Sequence, residues 1–311
     1  YMAAIGAGNQ NITTAAKFIP EIWSDETIAA YKSNLVAANL VTRLSHKGKK
    51  GDTIHIPKPT RGSANLKVKN VAVNVQNDTH NELQVAIDKH YEYSVLMEDI
   101  VAVQALNSLR KFYTDDAGYA LAKQVDTDLL ALGEGFNSGA TVDKSYDTAF
   151  IGTGTTAFSG TNEAAISDAG IRAFILRLDN ADVPMDNRAL IIPPIAASTL
   201  LSIQRFTEQQ FIGNGDAIKT GKIGQIYGVD VYVSTNCATV KSSGGTGNSA
   251  AGTERVGVMM HKDALVLAES MGIRSQTQYK QEWLGDLFTS DTIYGVGELR
   301  DESGLAFVMP A

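Results

Sequence analysis

The sequence feature that most restricts the fold is a long stretch of alternating apolar and polar residues, 51–95, which precedes any obvious core-forming segment. Apolar side chains recur at every second position, and the turn sequences PKPTRGSAN and NDTHN interrupt them. A period of two predicts an antiparallel β ribbon of two to four strands. A ribbon alone is at best marginally stable in water. We therefore expect this one to need a surface outside itself to lie on.

A long helix is predicted directly after the ribbon, over residues 98–136. Apolar and small side chains follow one another at steps of three and four, as on the buried face of an α-helix. Acidic residues suit its N-terminus, and Gly133 and Gly135 suit its end. At roughly 1.5 Å per residue it would be about 50 Å long. Such a helix is long for an average domain.

The remaining segments give different patterns. Residues 1–19 are small and polar and predict an extended arm, and residues 19–44 predict a helix. From residue 161 onward helical and strand patterns alternate, which predicts a compact α/β unit. Residues 237–254, rich in Gly, Ser and Thr, predict a mobile surface loop. The chain is predicted to end in two strands with a polar turn at 301–304 between them.

The glycine-rich segment GNGDAIKTGKIGQIYGVDVYVSTN, residues 213–236, raises the question of a phosphate-binding loop. Such a loop needs Gly, four residues, and then Gly-Lys followed by Ser or Thr. Here five residues separate Gly215 from Gly221, and Lys222 is followed by Ile223. The dinucleotide fingerprint fails as well, because its third glycine is missing. The segment therefore does not predict a nucleotide site.

We interpret the segment instead as a loop followed by a β-hairpin, in which Gly221, Gly224 and Gly228 supply backbone angles that other residues rarely adopt. Other chemistry is also missing from the sequence. Cys237 is the only cysteine, the five histidines lack metal-ligand spacing, and there is no G-x-S-x-G motif. We expect no catalytic residue, no bound cofactor and no metal site.

The charge balance argues against tight binding of nucleic acid. The chain has 27 Lys and Arg against 34 Asp and Glu, a formal net charge of −7. Proteins that grip nucleic acid independently of sequence are typically basic, so this chain could enclose nucleic acid without gripping it. No apolar run approaches the ~20 residues of a membrane-spanning helix, and the start YMAAIGAGNQNITT lacks the features of a signal peptide. We expect no membrane partner.

The order of these elements, more than any single motif, resembles the major capsid protein of tailed bacteriophages, which has the Hong Kong 97-type fold. The resemblance extends over residues 19–310. It is carried, in the family's order, by IPEIWSDETIAAYKSNLVAANLVTRL, GDTIHIPKP, RALIIPP, GQIYGVDVYVSTN and GIRSQTQYKQEWLGDLFTSDTIYGVGELRDESG. It implies an α+β fold with an N-terminal arm, a long β-hairpin called the extended loop, a P-domain of antiparallel strands on a long spine helix, and an α/β A-domain.

The same resemblance divides the chain into domains. Residues 1–47 would form the N-terminal arm and its helix, and residues 48–96 the extended β loop. Residues 97–160 and 270–311 would form the P-domain, and residues 161–269 the A-domain.

The resemblance implies a structural protein and not an enzyme. Subunits would assemble in the host bacterial cytoplasm as hexamers and pentamers of an icosahedral shell, part of the virion, that encloses double-stranded DNA. Their contacts would be heterologous, with different patches meeting. Scaffolding, portal and cement proteins are further candidate partners. Two alternatives stay open: a shell protein of an encapsulin-type bacterial nanocompartment, and an α/β enzyme that uses region 161–269.

We predict that Arg61, Lys67 and Lys69 of the ribbon contact neighbouring subunits, where charge steers docking and sets register. Trp23 is predicted either to anchor the arm at an interface or to cover a helix of its own domain. The change Arg61→Glu is expected to slow or misdirect assembly, which electron microscopy of the purified protein would reveal. Normal particles from this variant would remove that role.

Overall fold

The structure is a computed structural model of the 311-residue chain. It describes residues 35–45, 53–59, 62–70, 72–73, 75, 80–98, 108–133, 135–136, 149–158, 164–203, 224–239 and 254–310. The described elements are α1 (Ala37–Leu40), β1 (Thr42–Ser45), β2 (Thr53–Pro59), β3 (His80–Ala86), β4 (Lys89–Glu98), α2 (Ser108–Gly133), β5 (Phe150–Ile151), α3 (Asp168–Asn180), β6 (Arg188–Ile192), α4 (Pro194–Ser202), β7 (Gln225–Ile226), β8 (Val229–Val233), β9 (Glu254–His261), β10 (Leu265–Lys280), β11 (Gly285–Glu298), a 3-10 helix (Asp301–Ser303) and β12 (Gly304–Pro310).

Within the described residues the strands form three sheets. The first has the order β1-β10-β11-β4, the second has the order β5-β12-β9-β6-β8-β7, and the third consists of β2 and β3. Strands β6 and β8 run parallel, with α4 between them in the chain, whereas β9 is antiparallel to β6. Helices and sheets are thus mixed with both parallel and antiparallel pairing, which confirms the predicted α+β class.

The ribbon is shorter than the predicted range 51–95. Strands β2 and β3 pair antiparallel over seven residues each. Strand β4 leaves the ribbon and pairs with β11, from Lys89 opposite Tyr294 to Glu98 opposite Gly285. Residues 62–70, in which a strand was expected, form none, and all of them are exposed. Alternation in sequence reports which face of a strand is buried and not which strand lies beside it, so it cannot show a change of sheet.

The base of the ribbon packs on its own chain, which corrects the idea that the ribbon has no core except on another molecule. Val85 of β3 is buried against Val266 and Ala268 of β10. The carbonyl group of Ala86 lies so close to Gly295 of β11 that a Cβ atom there would collide with it. Glycine is required because only its missing side chain lets the two backbones approach. The surface on which the ribbon base lies is therefore the chain's own sheet.

Helix α2 confirms the predicted long helix over its described length. The predicted start at residue 98 was wrong, because Glu98 is the last residue of β4 and pairs with β11; residues 99–107 lie outside the described residues. The buried apolar side chains of the helix that the periodicity predicted are Ala117, Leu121, Leu129 and Leu132. The helix therefore buries the face that its sequence pattern indicates.

The six-stranded sheet lies between helices on both faces. Phe174 of α3 and Phe307 of β12 stack with ring centroids 4.8 Å apart on one face. On the other face, Ile191 of β6 and Met260 of β9 pack with Leu129 of α2. All five residues of β6 are buried, as a central strand requires. The alternating α/β pattern predicted from residue 161 onward corresponds to this part of the fold.

The C-terminal region ends in two strands, β11 and β12, as predicted, but the turn before β11 was not predicted. Strands β10 and β11 form a long hairpin with this turn at 281–284. The predicted polar turn at 301–304 corresponds to the 3-10 helix before β12. Strand β10 runs across the predicted domain boundary at 269/270, and β12 joins the sheet of β6, β8 and β9. The domain boundaries themselves stay a prediction.

The glycine-rich segment ends in the predicted hairpin, β7–β8. Tyr227 and Gly228 form its turn with φ values of 49° and 82°, as a tight hairpin turn with two left-handed residues requires. Gly228 therefore has the predicted role, whereas Gly224 has no positive φ. Gly221 lies outside the described residues.

The close approach at Gly295 gives a testable prediction. We expect Gly295→Ala to lower the free energy of unfolding by about 1–3 kcal/mol, because the new methyl group must displace the backbone of β3. Gly118→Ala, in the middle of α2, is the control. A Cβ atom there meets nothing within 4 Å, so this change is expected to stabilise the chain by about 0.5–1 kcal/mol. Denaturant unfolding measures both, and equal effects would contradict the packing described.

Candidate functional site

The segment that joins β2 to β3 exposes apolar side chains. Its described part, residues 62–70, 72–73 and 75, is called the ribbon tip. The exposed fraction is 93% for Leu66, 57% for Val68, 68% for Val73 and 84% for Val75. Singly scattered apolar side chains are normal at a surface, but several exposed ones within one short segment are a feature that commonly marks a site covered by another molecule. The ribbon tip is therefore a candidate interface.

Two of the four residues predicted to contact neighbouring subunits lie in the ribbon tip. Lys67 and Lys69 alternate there with the apolar residues, and both are exposed. The ammonium group of Lys67 donates a hydrogen bond to the carbonyl oxygen of Val68 at 2.8 Å. Trp23 and Arg61 lie outside the described residues. The intersubunit contacts of all four residues stay a prediction.

Sequence reasoning missed a second exposed apolar surface, at the end of the β10–β11 hairpin. We call residues 279–284 the hairpin tip. Trp283 and Leu284 are each 64% exposed, and Tyr279 is 46% exposed. Leu284 has a φ of 43°, a conformation that a bulky side chain disfavours. The sequence EWLG between two alternating segments was the signal that could have revealed this turn.

A partly buried polar network fixes the half of this hairpin farther from its tip, here called the lower half, to helix α2. The Tyr294 hydroxyl donates to Asp128 Oδ2 at 2.8 Å, and Gln124 Nε2 donates to Asp128 Oδ1 at 3.0 Å. Lys89 Nζ lies 3.1 Å from Asp128 Oδ2, and the Tyr91 ring stacks on that of Tyr294. Burial first, and then the hydrogen bond to Asp128, raises the pKa of Tyr294 far above its ordinary value. Its hydroxyl therefore remains a hydrogen-bond donor at any physiological pH.

A second polar group ties together the three strands of the upper half. Asp291 of β11 accepts hydrogen bonds from Arg274 Nε at 3.0 Å and Arg274 Nη2 at 2.7 Å, on β10. On the other side, His90 Nε2 of β4 lies 3.1 Å from Asp291 Oδ2. The hydrogen bonds from Arg274, more than the presence of His90, lower the pKa of Asp291. The carboxylate therefore stays ionised and holds β10, β11 and β4 side by side.

Strand β10 changes register with β11 immediately below this group. The pairing shifts between Glu269 and Met271 and again between Met271 and Arg274, whereas β4 pairs with β11 without a shift. At the second shift, Thr292 Oγ1 donates to the carbonyl oxygen of Met271 at 3.1 Å. Bulges of this kind bend a strand and increase its twist. They separate the buried start of β10 from its exposed end, whereas β11 is buried or half-buried along its whole length.

Three further findings concern reactive groups and membranes. Among the residues that the structure describes, no group of three or more His, Cys, Asp or Glu side chains is placed to hold a metal ion. No helix in the same ranges is long and apolar enough to cross a membrane. Cys237 is buried, and burial raises the pKa of its thiol to about 12. This thiol is therefore a poor nucleophile at neutral pH.

Comparisons with known proteins agree with this arrangement. A family model described as phage capsid protein matches residues 84–296. The capsid structure of the cyanophage P-SCSP1u superposes with a TM-score of 0.74 at 17% identity, covering 99% of this chain and 98% of that chain. A structure from Mycobacterium phage Che8 superposes with a TM-score of 0.71 at 22% identity, covering 93% of this chain and 97% of that chain. The head structure of Helicobacter pylori bacteriophage KHP40 superposes with a TM-score of 0.73 at 12% identity, covering 98% of this chain and 99% of that chain.

No curated protein matches the chain. At these identities the structural likeness concerns the fold, and it confirms the Hong Kong 97-type architecture predicted from the order of the elements.

The Asp291 group gives a prediction with a defined pH dependence. Arg274→Gln is expected to destabilise the chain at neutral pH and to destabilise it less in acid. Folding lowers the pKa of Asp291 below its ordinary value of 3.8. The ion pair between Arg274 and Asp291 therefore stabilises the fold fully above pH 3.8, and this stabilisation is lost as the pH falls through the lowered pKa. The difference in denaturant midpoint between variant and wild type should therefore narrow from about pH 7 to about pH 2.

The control for this measurement is Lys280→Gln, which removes a positive charge from the same strand at the hairpin end. Its effect is expected to vary little over the same pH range. A difference for Arg274→Gln that stays constant throughout would contradict the role given to the pair.

Proposed function

The chain belongs to the family of phage capsid proteins, and we propose that its subunits associate as hexamers and pentamers of a closed icosahedral shell around double-stranded DNA. Membership of the family makes the chain a major capsid protein, a structural subunit of the virion shell. Two of the structures that the chain resembles are those of a phage capsid and a phage head. The arrangement of subunits, the enclosed DNA and the contacts between copies are the parts that we propose.

The exposed ribbon tip is the observation that carries this proposal. The base of the ribbon is fixed to β11 at Gly295, whereas Leu66 and Val75 at the tip are almost fully exposed. Burying one such side chain contributes about 1.5–3 kcal/mol, and in a shell every subunit would gain it. A contact between the ribbon tip and a different surface of the next copy is heterologous, and such contacts form a closed ring when the rotation from copy to copy closes.

The charges of the ribbon tip favour another copy of this chain as the partner. Lys67 and Lys69 are basic and exposed, whereas the chain as a whole carries a formal net charge of −7. The positive tip is therefore attracted to a neighbouring subunit, which speeds encounter and disfavours wrong orientations. This attraction complements the apolar contacts, which supply most of the affinity.

The overall acidity also bears on the contents of the shell. An acidic subunit repels the phosphate backbone, so DNA inside would be confined by the wall without being held by it. We infer a structural role without catalysis, and assembly in the cytoplasm of the bacterial host. Scaffolding, portal or cement proteins would be further partners of the shell.

The proposal predicts that Leu66→Asp combined with Val75→Asp prevents assembly while leaving the chain folded. Both side chains are exposed in the single chain, so charge there costs little until a neighbour must cover them. Electron microscopy and sedimentation of the full chain measure particles, and circular dichroism measures the fold. Leu66→Met, which keeps size and apolar character, is the control and should still assemble. Normal particles from the double variant would refute the role of the ribbon tip.

A second experiment concerns the cargo. Particles isolated from infected cells and treated with nuclease are expected to contain protected double-stranded DNA. A protein cargo without DNA would instead favour a nanocompartment shell. Chains that remain single under every condition would contradict shell formation itself.

A further inference from the structure

Helix α2 carries a fully buried carboxylate that neither exposed surface uses. Asp126 has 0% of its surface exposed. Its Oδ1 atom accepts hydrogen bonds from the backbone N–H groups of Val36, at 3.1 Å, and Ala37, at 2.7 Å. Its Oδ2 atom accepts a hydrogen bond from the side-chain amide of Asn236 at 3.0 Å. One carboxylate thus binds two segments that are far apart in the sequence.

The first of these segments depends on a cap from outside. Helix α1 has only four residues, and no side chain of its own caps its start. The first N–H groups of a helix lack partners within the helix, and Asp126 supplies them from α2. Hydrogen bonds to an ionised acceptor are stronger than those between neutral groups. The start of α1 is therefore held in place by α2.

The second segment is the loop 234–239, which follows β8. Within this loop, the N–H group of Asn236 donates to Ser234 Oγ at 3.1 Å, which shapes the turn that presents the Asn236 side chain to Asp126. Cys237 is buried in the same apolar cluster as Val36 and Leu130. The loop and the start of α1 therefore share apolar packing as well as the carboxylate.

The hydrogen bonds that the Asp126 carboxylate accepts explain why a charged side chain is tolerated at this buried position. A buried carboxylate is costly unless hydrogen bonds replace its lost water. Three donors reach its two oxygens, two from one segment and one from the other. Removing either segment would leave a buried charge with fewer partners. Each segment thus helps to keep the Asp126 carboxylate buried and fully hydrogen-bonded, which the other segment needs for its own hydrogen bonds.

We propose that Asp126 is a positioning residue that couples the start of α1 to the loop 234–239. The direction of the first segment and the position of the loop are therefore set together. Because coupling between two sites is reciprocal, disturbing the loop must loosen α1, and disturbing α1 must loosen the loop.

The coupling itself is a property of the single chain and is measurable without any shell.

Charge exchange at the junction tests the coupling. Asn236→Asp places a second carboxylate against Asp126, and we expect hydrogen exchange of the Val36 and Ala37 amides to rise by about tenfold or more as the shared bonds weaken. Adding Asp126→Asn to this variant should restore protection. The new amide at 126 would still accept from the two backbone groups through its oxygen and would donate to the new carboxylate at 236.

The control is Asp116→Asn, which makes the same chemical change on α2, where the carboxylate meets Tyr93 at 3.4 Å and not the junction. Protection of the Val36 and Ala37 amides should not change in this variant. A purely local role for Asn236 predicts faster exchange in loop 234–239 alone, and that result would overturn the proposal.

Two further outcomes are decisive. If Asn236→Asp alone does not fold, a folded double variant with protected amides supports the coupling, and a double variant that also fails to fold refutes it. Particle formation is recorded separately. If the wild-type chain forms no particles but the variants change amide exchange as predicted, the proposed function fails and the coupling stands.

Discussion

Strand β11 is the element on which the rest of the described structure depends, because it is bonded on both edges and packed on its faces. It pairs with β10 on one edge and with β4 on the other. Gly295 lets the ribbon base approach its backbone, and Tyr294 reaches Asp128 of helix α2. The ribbon, the hairpin and the long helix are therefore attached to one another through a single strand. A change in β11 would alter the relative positions of all three.

The sequence predicts elements by their periodicity, and the structure shows where that information ends. The period of three to four residues correctly identifies the buried face of α2, because helix burial follows local spacing. The period of two correctly indicates strands in residues 51–95, but it wrongly keeps β4 in the ribbon. The partner of β4 is β11, and the contact between His90 and Asp291 joins residues 201 positions apart. No local pattern specifies such a partner, since it depends on the rest of the core.

The candidate interfaces were only partly predictable for a related reason. Lys67 and Lys69 stood out because charges alternate with apolar residues in a segment without a core of its own. Trp283 did not, because an exposed apolar residue and a buried one have the same letter in the sequence. No pattern in the sequence distinguishes Asp126 from the other acidic residues of α2. Its donors lie 90 and 110 positions away, so only the folded chain shows that it is buried and shared.

Because the ribbon is attached at one end, a rotation at its attachment displaces its far end most. Its paired strands have seven residues each, which at roughly 3.3 Å per residue extend about 23 Å. A rotation of about 10° at the Gly295 pivot would therefore sweep the far end through about 4 Å, more than the length of a hydrogen bond. The close backbone contact at Gly295 thus sets the direction of the whole ribbon, and a small displacement there would be magnified at the far end, where we propose the contact with a neighbouring subunit.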